Sequence, residues 1–217
     1  MNRHYMEKVF STERMRKYFE NYPADEAKAI RHYQLNNSVS ESLYPILCLF
    51  EVSLRNSLNR ELCGKYGTAD WYLALSTQPG LKALNNEVTL AKRHITKRGE
   101  TITASKVVAE LTLGFWVRIL NAEYERILWK DLIRAFPYMA KSERKRHNVS
   151  APINKIRDFR NRIFHHEPVL WNIEKVEQIH SDIYKVCGWI SKDLPEFIKY
   201  IDRFPDTIAM AKNELQA

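Results

Sequence analysis

The sequence predicts an all-α protein, and three observations support that fold class. Apolar residues recur at helical spacing in several long segments. The chain of 217 residues contains only six glycines, few for a β-rich protein with many tight turns. It also contains no alternation of Val, Ile and Thr long enough for a sheet, and no internal repeat. With 45% hydrophobic residues, residues 1–217 can bury one core, and we expect a single domain.

Two short helices are predicted first, and we expect residues 1–35 to be peripheral. Ser11 can cap a helix that runs to Asn21, and Asp25 can cap a second that runs to about Gln34. The polar run at residues 36–38 is expected to break the second helix.

The longest periodic segment, from about Ser40 to Tyr66, is predicted to be the central core helix. It ends before Gly67, a residue suited to a helix C-terminus, and Pro45 is expected to bend its first turns. Glu51 and Arg55 lie four residues apart on it, in the order that supports an ion pair. Its apolar residues at helical spacing are Leu47, Phe50, Leu54, Leu58 and Leu62.

Three more helices are predicted before residue 137. They cover about 81–97, 105–121 and 123–135, with Trp71 and Tyr72 in a loop before them. The basic run at residues 141–147 is most simply a solvated helix or loop.

A helix of about residues 152–166 is predicted to carry the functional motif, because Ser150 and Pro152 suit a helix start. Beyond it, Asn172 can cap a helix that carries apolar residues to Ile190. Residues 194–204 and 206–217 are expected to form peripheral helices.

The charge balance favours a polyanionic partner. The formal net charge is +8, which suits nucleic acid or an acidic protein. The three cysteines are odd in number and widely spaced, so neither a disulfide framework nor a zinc site is indicated. The N-terminus lacks the apolar region of a secretory signal, and no run reaches the roughly 20 apolar residues of a membrane span. We expect a cytoplasmic protein that does not enter a membrane.

Groups able to handle a proton or a phosphate are concentrated between Arg157 and Pro168. On a helical wheel, Arg160 falls within the apolar stripe. An arginine there must lose water, and this is costly without an anionic partner. That partner can be an internal carboxylate such as Glu51, a phosphate, or a group in a cleft between subunits. The apolar residues of the predicted stripe are Ile153, Ile156, Phe159, Ile163 and Phe164.

Asn161 and His165 are predicted to share a second face of the helix, where the amide can orient the imidazole or contact a phosphate. On a straight helix, Arg160 and His165 point roughly 140° apart. Either the last turn unwinds, because Pro168 disfavours helix at the residue before it, or two copies of the helix meet across a two-fold axis. We favour the dimer.

Arginine and histidine together meet the needs of RNA cleavage without a metal. The guanidinium binds a phosphate and stabilises charge on its oxygens, and the imidazole exchanges a proton near neutrality. His165, His166 and Glu167 do not match the spacing of a metal site. His166 is expected to contact RNA or to cap the helix, and Arg157 and Arg162 are expected to bind substrate. Phosphate-binding glycine loops are absent, and no cofactor is expected.

The run Arg160-Asn161-Arg162-Ile163-Phe164-His165-His166-Glu167-Pro168 resembles the Arg-x4-6-His signature of HEPN domains, in the form found in bacterial Abi-like (abortive infection) proteins. Three further stretches are similar to that family: residues 50–56, 113–117 and 135–137. The resemblance covers most of the chain from about Asn36 to Trp171.

The resemblance implies a HEPN-like helical bundle with additional helices, and a two-fold dimer with facing motifs. It also implies a metal-independent ribonuclease used in phage defence or as a toxin, with an antitoxin or other regulator as a possible partner. Arg160, Asn161 and His165 carry over as catalytic, although His166 also satisfies the permitted spacing. Two alternatives remain open: a non-catalytic RNA- or partner-binding module, and a purely structural Arg160.

Overall fold

The computed structural model describes residues 1–216, and within them the secondary structure is helical, with no strand. The predicted all-α class is therefore confirmed. No helix in this range is long and apolar enough to cross a bilayer. The helices are α1 (Arg3–Phe10), α2 (Thr12–Asn21), α3 (Glu26–Tyr66), α4 (Lys82–Lys97), α5 (Ala104–Glu110), α6 (Leu113–Arg118), the single turn α7 (Lys130–Leu132), α8 (Arg146–Phe164), α9 (Ile173–Ile190), α10 (Leu194–Lys199) and α11 (Phe204–Gln216).

Helix α3 is the central element, and it is 41 residues long. The predicted break at residues 36–38 is wrong, because Asn36 is buried at 3% exposure and its polar side chain is satisfied by tertiary hydrogen bonds. Pro45 lies inside the helix without ending it. The C-terminus follows the prediction, since Gly67 has the left-handed φ of 67° that glycine adopts at low cost.

The main core surrounds α3, and it draws buried residues from α4 to α9 and from the two C-terminal helices. The motif helix was predicted over about 152–166, but it begins at Arg146 and ends at Phe164. The side chain of Arg146 donates to Glu125 and to Ser150, each at 2.8 Å, and these bonds hold the first turn. The basic run therefore divides between a 3-10 turn, Lys141–Glu143, and the start of α8.

The middle of the chain is less regular than predicted. The single helix expected over 105–121 is two helices, because the Thr112 side chain accepts the Phe115 N–H at 3.4 Å and starts a new one. Residues 123–135 form consecutive 3-10, π and α turns. Trp71 and Tyr72, predicted in a loop, lie buried in a 3-10 helix, Trp71–Thr77.

A second hydrophobic cluster joins the N-terminal helices to the segment after the motif helix. Its buried members are Met6, Met15, Tyr18, Phe19, Ala29 and Ile30, and Tyr22, Tyr33 and Trp171 pack against it. The N-terminal region predicted to be peripheral is thus in contact with residues 165–171, the motif segment that follows α8.

At the C-terminal end of the chain, α10 stops at Lys199, five residues earlier than predicted, and α11 packs against α3. The predicted C-terminal helix ends at Gln216, and Ala217 lies outside the described residues.

Candidate active site

Arg160 projects from α8 toward the middle of α3. Its Nη2 atom lies 3.3 Å from Glu51 Oε2, and the two side chains are 26% and 29% exposed. The carboxylate expected as an internal partner is therefore the one that Arg160 faces. The predicted pairing of Glu51 with Arg55 is not formed, because Glu51 faces Arg160 and Arg55 donates to Asn56 instead.

The remaining contacts of Arg160 leave part of its guanidinium available. The group lies 4.0 Å from the centroid of the Phe164 ring, and Nη1 donates weakly to Asn161 Oδ1 at 3.5 Å. The Nε atom is buried and has no hydrogen-bond partner within residues 1–216. Buried polar atoms are nearly always satisfied, so this donor indicates a site suited to an additional acceptor.

Arg160 and Phe164 do not lie within the apolar stripe of α8. The buried residues of the helix are Val149, Ser150, Ile153, Ile156, Phe159 and Ile163. Phe164 is 46% exposed and packs against Tyr44, with ring centroids 5.2 Å apart and the ring planes tilted by 40°. The predicted apolar stripe wrongly included Phe164, because the groove between α3 and α8 is open to solvent beside this residue. Arg160 lies along the edge of the apolar stripe and is 26% exposed.

Asn161 and His165 share one side of α8, but their side chains are not hydrogen-bonded to each other. The amide oxygen of Asn161 accepts from Arg160, and the backbone carbonyl of Asn161 accepts the His165 N–H at 2.9 Å. His165 is exposed. The Asn161 amide, which was expected to orient the His165 imidazole, is hydrogen-bonded to Arg160 instead.

The end of α8 has the hydrogen bonds of a Schellman motif. The Glu167 N–H donates to the Arg162 carbonyl at 2.8 Å, and the His166 N–H donates to the Ile163 carbonyl at 2.9 Å. His166 has a φ of 56°, in the left-handed region that disfavours side chains other than glycine or asparagine. The helix thus ends shortly before Pro168, as predicted. His166 lines a cavity of about 220 Å³ together with Tyr44.

The other arginines predicted to bind substrate have internal partners. Arg162 Nη2 donates to the Pro168 carbonyl at 2.6 Å and Nε to Glu167 at 3.2 Å, so this side chain holds the turn after α8. Arg157 pairs with Asp158 at 2.7 Å. Asp158 therefore pairs with Arg157 and not with Arg162, four residues later in the helix.

Two residues that the sequence did not indicate, Asn36 and Arg14, hold the motif segment in place. The Oδ1 atom of Asn36 accepts the N–H groups of Val169 and Leu170 at 2.8 and 3.0 Å. Arg14 donates to the His166 carbonyl. The sequence signal for Asn36 was its helical spacing from apolar residues that are buried, three residues before Val39 and seven before Leu43.

Trp171, at the end of the motif segment, packs against the N-terminal hydrophobic cluster. Its ring lies 4.1 Å from that of His32, and the Lys17 ammonium lies 4.6 Å from the indole. Tyr22 Oη is 3.1 Å from His32 Nδ1. Burial, with Lys17 nearby, lowers the pKa of His32 to about 4, so the imidazole is neutral near pH 7.

Within residues 1–216, no three His, Cys, Asp or Glu side chains are grouped as ligands for a metal ion. In comparisons of the chain with protein-family models, curated proteins and solved structures, no match was found. Any functional interpretation therefore depends on the chemistry of the site. This site combines a cation with an unused donor, an adjacent amide and an exposed imidazole one turn later.

Proposed function

We propose that this protein is a metal-independent RNA endonuclease of the HEPN type. The observation that carries the proposal is the state of Arg160, whose half-buried guanidinium has one ion pair, at 3.3 Å, and one weak hydrogen bond, so that its terminal nitrogens keep N–H donors without a partner. A guanidinium with unused donors suits a phosphate, which accepts several hydrogen bonds at once. The exposed His165 follows at the end of the same helix.

The reaction requires only groups of this chain and of the RNA. The ribose 2′-oxygen forms a bond to phosphorus, the bond from phosphorus to O5′ breaks, and a 2′,3′-cyclic phosphate and a 5′-hydroxyl result. A histidine accepts the 2′-hydroxyl proton, and a histidine donates a proton to the departing O5′. Arg160 stabilises the charge on the phosphoryl oxygens, and the Asn161 amide donates beside it.

The proposed enzyme is a two-fold dimer. By the helical step of about 100° per residue, Arg160 and His165, the residue that follows α8, point roughly 140° apart, so one copy would not bring them to a single phosphate. Two exposed aromatic side chains, Phe164 and Tyr44, pack against each other beside Arg160 and form an apolar surface of the kind that another protein covers. A second copy there would place His165 of the partner subunit near Arg160. Two facing motifs would form one shared cleft that contains both copies of His165, one for each proton transfer.

The resemblance of the motif to Abi-like proteins suggests the setting. We place the enzyme in the cytoplasm, in phage defence or as a toxin, where an antitoxin or another regulator would restrain it. The net charge of +8 supports a polyanionic substrate.

The test is RNA cleavage by the purified protein in EDTA. Wild-type protein should cut RNA, and His165→Ala should lower the rate by about two to four orders of magnitude, the usual contribution of a general acid or base. His147→Ala is the matched control, because His147 is an exposed histidine at the other end of α8. The 3′ ends of the products, which the cyclic phosphate blocks, should resist enzymatic labelling. The free 5′-hydroxyls should accept phosphate from a kinase. Equal cleavage by wild type and His165→Ala would overturn the assignment.

A second candidate function is RNA or partner binding without cleavage. It is favoured by the Arg160–Glu51 contact and by the separate directions of Arg160 and His165 within one chain. It predicts salt-sensitive RNA binding, with the RNA intact after long incubation. A purely structural Arg160 has less support, because a partly exposed ion pair contributes only about 1 kcal/mol.

A further inference from the structure

A cleft of about 610 Å³ opens along α3, beginning one helical turn beyond the Glu51–Arg160 contact. Its polar lining consists of Arg55, Asn56, Asn59, Cys63, Thr103 and Ser105, and small apolar side chains complete the surface. None of the lining residues is acidic. The cleft is therefore a largely apolar surface with polar groups set into it, and it has a positive charge at the end nearest the candidate active site.

The structure fixes the orientation of both asparagine amides in this cleft. The indole Nε1 of Trp71 donates to Asn59 Oδ1 at 2.8 Å. An indole nitrogen can only donate, so the oxygen of the Asn59 amide must face Trp71 and its NH₂ group remains free. In the same way, the Arg55 Nε donates to Asn56 Oδ1 at 3.2 Å, and this leaves the Asn56 NH₂ free.

The cleft is consequently rich in donors. The free donors are two amide NH₂ groups, the terminal nitrogens of Arg55 and one O–H of the Thr103–Ser105 pair, whose oxygens lie 3.1 Å apart and share the other O–H in a hydrogen bond. A ligand for such a surface carries many acceptors. Nucleotides meet this need, since phosphodiester oxygens, base carbonyls and ring nitrogens are acceptors.

Distances along α3 relate the cleft to the candidate active site. At about 1.5 Å of rise per residue, Arg55 lies about 6 Å from Glu51 along the helix axis, and Asn59 about 12 Å. A strand with nucleotides spaced about 3.4 Å apart covers the longer distance with three or four nucleotides. One single strand can therefore contact Arg160 and fill the cleft.

We infer that this cleft is a subsite for single-stranded RNA, in which Arg55, Asn56 and Asn59 hold nucleotides that flank the phosphate at Arg160. The inference rests on the proposed function, and it implies that the RNA strand runs from Arg160 along α3 toward Asn59. A cleft of this size also admits a free mononucleotide, which has the same acceptors, and the experiment must separate the two ligands.

The thiol of Cys63 reports occupancy without any need for cleavage. Cys63 lines the cleft, Cys187 is buried, and the exposed Cys48 can be replaced by Cys48→Ser. Alkylation of Cys63 by iodoacetamide is followed by mass spectrometry in the presence of a 2′-O-methyl oligonucleotide of about 12 residues, within the usual range of single-strand sites. At about ten times its Kd, the oligonucleotide should slow alkylation about tenfold.

AMP at the same nucleotide concentration should leave the alkylation rate unchanged. Unchanged alkylation with the bound oligonucleotide would overturn the inference, as would protection by AMP alone. Because the oligonucleotide cannot be cut, protection in a protein that never cleaves RNA would support the subsite while refuting the proposed nuclease.

Substitutions in the cleft give an independent measurement. Arg55→Ala and Asn56→Asp should each weaken oligonucleotide binding about tenfold, which corresponds to about 1.4 kcal/mol. Asn56 is exposed, so its substitution should not disturb the fold. Arg93→Ala, on an exposed part of α4, is the matched control and should change the Kd less than twofold, about the effect of one distant charge. Cleavage with normal KM in both cleft variants would refute the subsite and leave the nuclease intact.

Discussion

Asn36, in the N-terminal third of the longest helix, accepts a 2.8 Å hydrogen bond from the backbone N–H of Val169, 133 residues later in the chain. The same oxygen accepts the Leu170 N–H at 3.0 Å, and Asn36 is only 3% exposed. One side chain thus satisfies two buried backbone donors just after the motif. The position of the candidate catalytic histidine depends on this anchor.

Asn36→Ala should lower the free energy of unfolding by about 2–4 kcal/mol, because each buried N–H left without a partner costs about 1–3 kcal/mol. Urea unfolding measures the change. The matched control is Asn37→Ala, since Asn37 is exposed on the next position of the same helix. If the two variants are equally stable, the anchoring role of Asn36 is wrong.

His166→Gly should stabilise the protein by about 1 kcal/mol, because a side chain in the left-handed region costs about 1–2 kcal/mol and glycine adopts it freely. His166 has a φ of 56°, whereas its neighbour His165 has a φ of −89°. His165→Gly should accordingly destabilise by about 0.5–1 kcal/mol, the usual cost of glycine where φ is negative. Thermal unfolding of the two variants should shift in opposite directions.

The same pair separates the chemical roles of the two histidines. Under the proposed function, RNA cleavage is lost in His165→Gly and kept in His166→Gly. Loss of cleavage in His166→Gly alone, with the protein still folded, would transfer the catalytic role to His166.

Acid should destabilise the contact between the N-terminal cluster and the motif segment through His32. Burial, together with Lys17, depresses the folded-state pKa of His32 to about 4, below the ordinary value of 6.5. The unfolded chain therefore binds the proton more readily between these values. Stability from neutral His32 is fully present above pH 6.5 and is lost progressively down to about pH 4, a change on the order of 3 kcal/mol.

His32→Phe isolates this effect, because it keeps an aromatic ring beside Trp171 and removes the titration. The difference in unfolding free energy between wild type and variant should change across pH 4–6.5 and be constant above it. A difference that does not vary with pH would show that His32 titrates normally in the folded protein.

The sequence predicted those parts of the fold in which local and tertiary preferences agree. Helix α9 runs from its Asn172 cap to Ile190 as expected, and Gly67 ends α3. The prediction was wrong where tertiary contacts decide the structure. Asn36 favours turns by itself, yet it continues the helix because its side chain is used by residues far along the chain.

The candidate site was predicted in composition but not in arrangement. Local spacing placed Arg160, Asn161 and His165 near one helix end, and it suggested Glu51 as a partner. Spacing could not show that the Asn161 amide turns toward Arg160 or that Phe164 is exposed, because both depend on how α3 lies beside α8. The donor orientation of Asn59 depends in the same way on Trp71, from a segment predicted as a loop.

The proposed dimer makes the exposed aromatic pair beside Arg160 a requirement for activity. Phe164→Glu should convert a dimer to a monomer, because a buried charge without a partner costs several kcal/mol at an interface. Sedimentation velocity measures the oligomeric state, and RNA cleavage should fall in parallel. Phe197→Glu is the matched control, since Phe197 is also a highly exposed phenylalanine, at 57%, but lies on α10. A wild-type monomer that cleaves RNA at full rate would refute the shared site and require Arg160 and His165 of one chain to act together.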